Sequence, residues 1–237
     1  MNEKKAVAQT LRAAHVVCFD VDSTVITNEG IDELASFCGA GEQVAEWTRR
    51  AMCGGVTFRE ALSARLQIIR PSLPQLHSFL EKHPLPLTPG VSQFIELLQR
   101  QGKQVYLISG GFKQMILPLA QALGLPPDNV FANVLLFDEE TGDYKGFDES
   151  QPTSESGGKA RVVAMLKDLH ANNKENDAVS PPSIVMIGDG VTDMEARPPA
   201  DLFVGFGGNV VREKVKQGAD LFVMQFAELM AIYQEEL

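Results

Sequence analysis

Short runs of consecutive apolar residues, each ending in Asp, Ser or Gly, recur along the chain at wide intervals. They read VVCFDVD from Val16, QVYLISGG from Gln104, SIVMIGDG from Ser183 and DLFVGFGG from Asp201. A run that is apolar at every position, not at alternate ones, predicts a strand buried on both faces. Between the runs, VSQFIELLQRQG, FKQMILPLAQALG and GGKARVVAMLKDLH carry apolar residues at helical spacing, with Pro118 a predicted break or kink in the second. Strand, turn and helix in alternation predict an α/β fold: a parallel sheet with helices on both sides. Such sheets bind ligands at the carboxyl ends of their strands. The polar residues that close each run fall at those ends.

One stretch departs from this rhythm. Residues 27–87 contain no strand pattern, and GIDELASFCG, EQVAEWTRRAM, TFREALSARLQII and SLPQLHSFLEKH predict four short amphipathic helices separated by Gly and Pro breakers. Inserted directly after the first strand, they predict a four-helix lid over that strand's end, with HPLPLTPG as its hinge. Residues 1–26 and 88–237 then form the core. ANVLLFDEETGDYKGFD predicts a small β-hairpin insert turning at EETGD. ANNKENDAVSPPS (Ala171–Ser183) predicts a polar surface loop. At the N-terminus, Lys4, Lys5 and Arg12 resemble an organellar presequence, but Glu3 and the absence of serine point to a short capping helix.

Composition narrows the function classes. With 44% apolar residues in 237, a sizeable core is expected. Lys and Arg number 21 against 31 Asp and Glu, a net charge of −10. That balance excludes a general nucleic-acid binder and a protein held on anionic lipid. The acidity is concentrated in residues 138–155, which hold seven acids and a single base, Lys145. No run approaches the roughly 20 apolar residues of a membrane span. Cys18, Cys38 and Cys53 form no C-x-x-C pair and read as reduced thiols, so a cytoplasmic setting is expected.

The candidate chemistry lies in DVDST and GDGVTD. Asp20 and Asp22 end one predicted strand, and Asp189 and Asp193 follow another. Carboxylates gathered at the mouth of a parallel sheet repel one another unless a cation or proton shares the site. An all-oxygen donor set suits a hard divalent ion, and Mg²⁺ is favoured because it accepts few protein ligands. LISGG adds Ser109 and the backbone N–H groups of Gly110 and Gly111 at a third strand end, a natural oxyanion cradle. ESGGK sets Lys159 at the start of a helix, where it can neutralise phosphoryl oxygens. Together these are the parts of aspartyl-phosphate chemistry, in which positioning and charge neutralisation dominate.

DxDST, S-G-G, a GGK lysine and GDGxxD, in that order, resemble the haloacid dehalogenase-like phosphatases over nearly the whole chain. EGIDELA and TRRAM narrow the resemblance to members acting on O-phospho-L-serine in serine biosynthesis. The resemblance implies a Rossmann-like core with a helical cap and suggests a homodimer. It implies Asp20 as nucleophile and Asp22 as general acid and base, with Mg²⁺ held by Asp20, Asp189 and the carbonyl of Asp22 while Asp193 orders the metal's water. Ser109, Gly110 and Lys159 are implied to hold the phosphoryl group and Thr192 to be another substrate contact, with Glu29 on the ammonium, Arg65 on the carboxylate and Met52 lining the pocket. By composition alone Glu42, Glu46, Arg49 and Arg50 are rivals for the last two roles. The family usually reads M-G-G where this chain reads Met52-Cys53-Gly54-Gly55, so Cys53 brings a side chain to a position of backbone contact. The alternatives are a phosphatase or phosphotransferase for another small ester, or a silent phosphate-binding module.

Overall fold

The computed structural model describes residues 2–52, 56–172 and 182–234. Six strands form one parallel sheet in the order β3-β2-β1-β6-β7-β8. They are β1 (Val16–Phe19), β2 (Gln104–Phe112), β3 (Val130–Asn133), β6 (Ile184–Gly188), β7 (Leu202–Phe206) and β8 (Leu221–Val223). β4 (Leu135–Phe137) and β5 (Tyr144–Phe147) make a separate antiparallel hairpin. The four apolar runs are thus strands, and β1, β6 and β7 are buried at every position. β3 and β8, the sheet's two edges, have no counterpart in the sequence reading. Ala132 and Asn133, assigned there to the hairpin, belong to β3.

Alternation along each central strand sends its side chains to two separate cores. Val17 and Phe19 of β1, with Leu107, Ile187 and Val204, face α1 (Asn2–Ala13), α6 (Val91–Arg100), α7 (Lys113–Ala122) and α11 (Phe226–Gln234). Val16, Cys18, Ile108, Met186 and Phe203 face α8 (Gly158–Asn172), α9 (Val191–Met194) and α10 (Glu213–Gly218). Phe19, Phe94, Phe206, Phe226 and Tyr233 form an aromatic stack at the centre of the first core, with Phe206 and Phe226 centroids 4.5 Å apart. The N-terminal segment expected to cap the fold is α1, tied to α11 by the Tyr233 hydroxyl donating to the Leu11 carbonyl at 2.7 Å. Pro118 sits inside α7 without ending it, at the cost of one backbone bond to the carbonyl four residues back.

Among the described residues four α-helices separate β1 from α6: α2 (Gly30–Phe37), α3 (Gly41–Met52), α4 (Phe58–Ile69) and α5 (Leu73–Lys82). α4 and α5 begin with capping boxes, Thr57 with Glu60 and Ser72 with Gln75. The chain enters and leaves this insert through adjacent linkers, bridged at Ile26 and Leu87 and by Thr88 N–H donating to the Val25 carbonyl at 2.9 Å. Asn209, beyond β7, donates to both the Ser23 carbonyl and the Thr88 hydroxyl. The insert's core is not closed on itself. Leu34, Leu62, Leu66 and Phe79 pack with Leu135, Tyr144 and Phe147 of the hairpin and with Phe112 and Met115 at the start of α7. The hairpin turn is joined to α5 by Leu73 N–H donating to the Gly142 carbonyl, and Arg70 lies over the Tyr144 ring. Most of the loop at 171–183 lies outside the described residues, as does the C-terminal end.

Candidate active site

The site is assembled at the carboxyl ends of β1, β2 and β6. Asp20 directly follows β1, its backbone N–H donating to the Ile187 carbonyl of β6 at 2.9 Å. The chain then turns sharply: Ser23 has φ 54°, a left-handed conformation unusual for a residue other than glycine, asparagine or aspartate. The turn carries Asp22 back over the sheet. One Asp22 oxygen accepts from Gly30 N–H at the start of α2 (2.7 Å) and the other from the Ser109 hydroxyl (3.2 Å). Gly111 N–H in turn donates to the Ser109 oxygen at 2.8 Å. Burial pushes the Asp22 carboxyl above the ordinary range, opposed by the Gly30 hydrogen bond and by Lys159.

Lys159 opens α8 and is buried between two carboxylates, donating to Asp20 at 2.5 Å and to Asp193 at 2.6 Å. Burial disfavours its charge, but Asp193 and Asp20 outweigh it and hold the ammonium well above its usual range. Asp193 accepts also from Gly190 N–H at 2.9 Å. Asp189, at the end of β6, accepts from the Thr24 hydroxyl and, at 2.8 Å, from Arg212 Nε. Carboxylate oxygens of Asp20, Asp189 and Asp193 all lie within 4.8 Å of one another, and all three residues are buried. Burial and the Asp193 charge push Asp20 well above the normal carboxylate range despite Lys159. A buried group with such an excess of carboxylate fits a divalent cation, whose charge relieves that repulsion.

The helical insert closes the other side. Ser23 donates to Glu29 at 2.8 Å, and Arg212 reaches the same carboxylate at 3.7 Å. Burial and the Asp22 charge raise the Glu29 pKa. Arg65 of α4 is largely buried; desolvation lowers its pKa, opposed by Asp32, Glu29 and Asp22. Between insert and sheet lies a cavity of about 160 Å³ lined by Asp20, Asp22, Glu29, Arg65, Gly110, Gly111, Lys159, Asp189 and Thr192, together with Ile31, Phe58, Gly190 and Arg212. Ser109 and Asp193 lie fully buried behind that wall. The side chain of Met52, and Cys53 altogether, lie outside the described residues. Glu42, Glu46 and Arg49, the rivals by composition, do not line the cavity.

Sequence reasoning missed Arg212 and Phe58. Arg212 follows the GFGGN end of β7, so the strand-end rule that found Asp20 and Asp189 points to its neighbourhood. Phe58 gave no signal; its ring rests against Gly110, where an added Cβ would come within 2.8 Å.

The sequence matches the haloacid dehalogenase-like hydrolase family over residues 14–201. The chain belongs to that family. It is 51% identical to phosphoserine phosphatase of Bos taurus over 223 residues, covering 94% of this chain and 95% of that protein. Among solved structures, one described as DsGPDH of Dunaliella salina superposes with a TM-score of 0.81 at 33% identity, over 96% of this chain and 37% of that one. A phospho-aspartyl intermediate analogue of phosphoserine phosphatase superposes with a TM-score of 0.72 at 26% identity, over 92% of this chain and 98% of that one. In this haloacid dehalogenase-like hydrolase Asp20, Asp22, Asp189 and Lys159 line one small cavity, with Asp193 buried behind it. Among the described residues no helix is long and apolar enough to cross a membrane.

Proposed function

We propose that this chain is a Mg²⁺-dependent phosphatase that hydrolyses O-phospho-L-serine to L-serine and phosphate, the last step of serine biosynthesis. The observation that carries the reading is the cluster of Asp20, Asp22, Asp189, Asp193 and Lys159 at the base of a cavity also lined by one acid and one arginine from the insert. Phosphoserine has a phosphate, an ammonium and a carboxylate, and Glu29 and Arg65 complement the last two. A cavity of about 160 Å³ suits a molecule of this size, being below the roughly 300–1,000 Å³ typical of sites for drug-sized ligands. The 51% identity to a phosphoserine phosphatase supports the substrate.

In this reading residues 27–87 are the lid and residues 1–26 with 88–237 the core. Asp20 attacks phosphorus; the Asp20 O–P bond forms as the P–O bond to serine breaks. Asp22, aimed by Gly30 and Ser109, delivers a proton to the departing serine oxygen. Asp22 then takes a proton from water, whose oxygen attacks phosphorus and releases Asp20. Lys159 and the Gly110 backbone neutralise and orient the phosphoryl oxygens, with Thr192 beside them, while the Gly111 N–H holds the Ser109 oxygen. Asp20, Asp189 and the Asp22 carbonyl would hold Mg²⁺, with Asp193 ordering its water; when bound, the ion neutralises charge on the phosphoryl group. The lid excludes water other than the one activated.

The test is phosphate release from O-phospho-L-serine with Mg²⁺, with and without chelator, alongside phosphothreonine and an aryl phosphate. Phosphoserine is expected to be the preferred substrate and chelator to abolish turnover. Asp20→Asn is expected to lose both turnover and the acid-stable phosphoenzyme while retaining its fold. A phosphoenzyme persisting in that variant removes Asp20 as nucleophile.

A further inference from the structure

We propose that Arg59 is a positioning residue for the reaction: it latches the helical insert onto the loop that carries Lys159, making lid seating and lysine placement one event. The inference rests on the phosphatase reading above and adds to it a residue that does not line the cavity. Arg59 occupies the first turn of α4, where the Thr57–Glu60 capping box fixes the direction of the chain. Its guanidinium crosses from the insert to residues 149–155 of the core. One terminal nitrogen pairs with the Glu149 carboxylate at 3.1 Å. The other lies 2.9 Å from the Glu149 carbonyl, 2.9 Å from the Ser154 hydroxyl and 2.5 Å from the Glu155 carboxylate. Four acceptors on one short loop are a grip on its shape, beyond what a lone surface ion pair provides.

That loop leads straight to the lysine. Glu155 carbonyl accepts from Gly158 N–H at 3.1 Å, and Lys159 follows. Phe58, beside Arg59 in sequence, rests on Gly110, the other half of the phosphate cradle. A buried link joins the two halves: Thr153 donates to the Asn133 side-chain oxygen at 3.1 Å, and Asn133 donates to the Gly110 carbonyl at 2.8 Å. Consecutive residues of the insert thus touch both ends of one connected cradle. Opening the insert removes Phe58 and Arg59 together, and with them the external support of the Lys159 loop.

The experiment compares wild type, Arg59→Ala, Arg59→Lys, Glu149→Gln/Glu155→Gln and the combined triple variant. For Arg59→Ala, KM for phosphoserine is expected to rise about tenfold, equivalent to ~1.4 kcal/mol, with Tm nearly unchanged. Arg59→Lys should recover part of the loss, and the triple variant should be no worse than Arg59→Ala alone. Raising salt from low to about 0.5 M should move the wild-type KM toward that of Arg59→Ala, because these partly exposed pairs are screened. Amide exchange across residues 150–160 should quicken at least tenfold in Arg59→Ala, a readout independent of turnover. Unchanged exchange there overturns the latch, as does a KM within twofold of wild type or losses that multiply in the triple variant. If Arg59→Ala does not fold, the Glu149/Glu155 variant carries the same expectations. Absence of wild-type turnover is a failure of the phosphatase reading, and is seen separately from the exchange result.

Discussion

Replacing Gly158 by alanine isolates the geometry of the lysine loop from its chemistry. Gly158 has ordinary backbone angles, so its lack of a side chain serves close approach. A Cβ built there would lie 2.2 Å from the Pro152 carbonyl oxygen, 2.9 Å from Thr153 Cα and 3.0 Å from the Pro152 carbonyl carbon. All three are backbone atoms, so no side chain can swing aside. Restoring an ordinary contact separates the helix start from the loop by about 1 Å, because close-packed interiors offer no slack. Lys159 is the next residue, and its 2.5 and 2.6 Å contacts to Asp20 and Asp193 do not survive such a shift as good hydrogen bonds. Misplacing a reacting group by 1 Å costs on the order of 100-fold in rate. Overpacking of this kind destabilises by about 1–3 kcal/mol. Gly158→Ala is therefore expected to fold, with kcat/KM for phosphoserine reduced ~100-fold. Gly157→Ala is the control. Gly157 has φ 73° and open space around its Cβ position, so alanine there strains the backbone by about 1–2 kcal/mol without a clash. Its kcat/KM should stay near wild type. Phosphate-release kinetics and thermal unfolding on both variants decide the matter: Gly158→Ala within threefold of wild type, or equal losses in the two variants, refutes the reasoning.

Two further outcomes are expected. Arg65→Ala should raise KM for phosphoserine by about 10- to 100-fold, the loss of one charge-assisted contact of roughly 1.5–3 kcal/mol. It should leave an aryl phosphate lacking a carboxylate almost unaffected; equal effects on both esters would remove Arg65 from the substrate's carboxylate. Phe94→Ala removes a fully buried ring packed on Phe19, Phe226 and Tyr233 at 5.6–5.9 Å, and should destabilise by about 3–5 kcal/mol. Chemical denaturation measures it, and a loss below 1 kcal/mol would mean that this aromatic stack is not a keystone of the first core.

The parallel sheet and most of the candidate site are legible in the residue pattern, because both are written locally. A strand buried on both faces must be apolar throughout, so β1, β6 and β7 were legible as runs. Their ends had to be where the run stopped, and Asp20, Asp22, Ser109 and Asp189 stand at those stops. Helical spacing likewise marked α2 to α5, and Glu29 and Arg65 took meaning from the family resemblance more than from their surroundings. Which residues meet across long intervals is set by packing alone. β3 and β8 are too short to stand out from their flanks, and only pairing with β2 and β7 makes them strands. The insert's apolar faces did not reveal that Leu135, Tyr144 and Phe147 complete its core. Nothing in the sequence singled out Arg212 or Arg59. Their partners Asp189 and Glu149 lie 23 and 90 residues away, and no local period carries a contact of that span. Hydrophobic patterning sets which face of an element is buried; packing of whole elements sets which charged side chains that burial brings together.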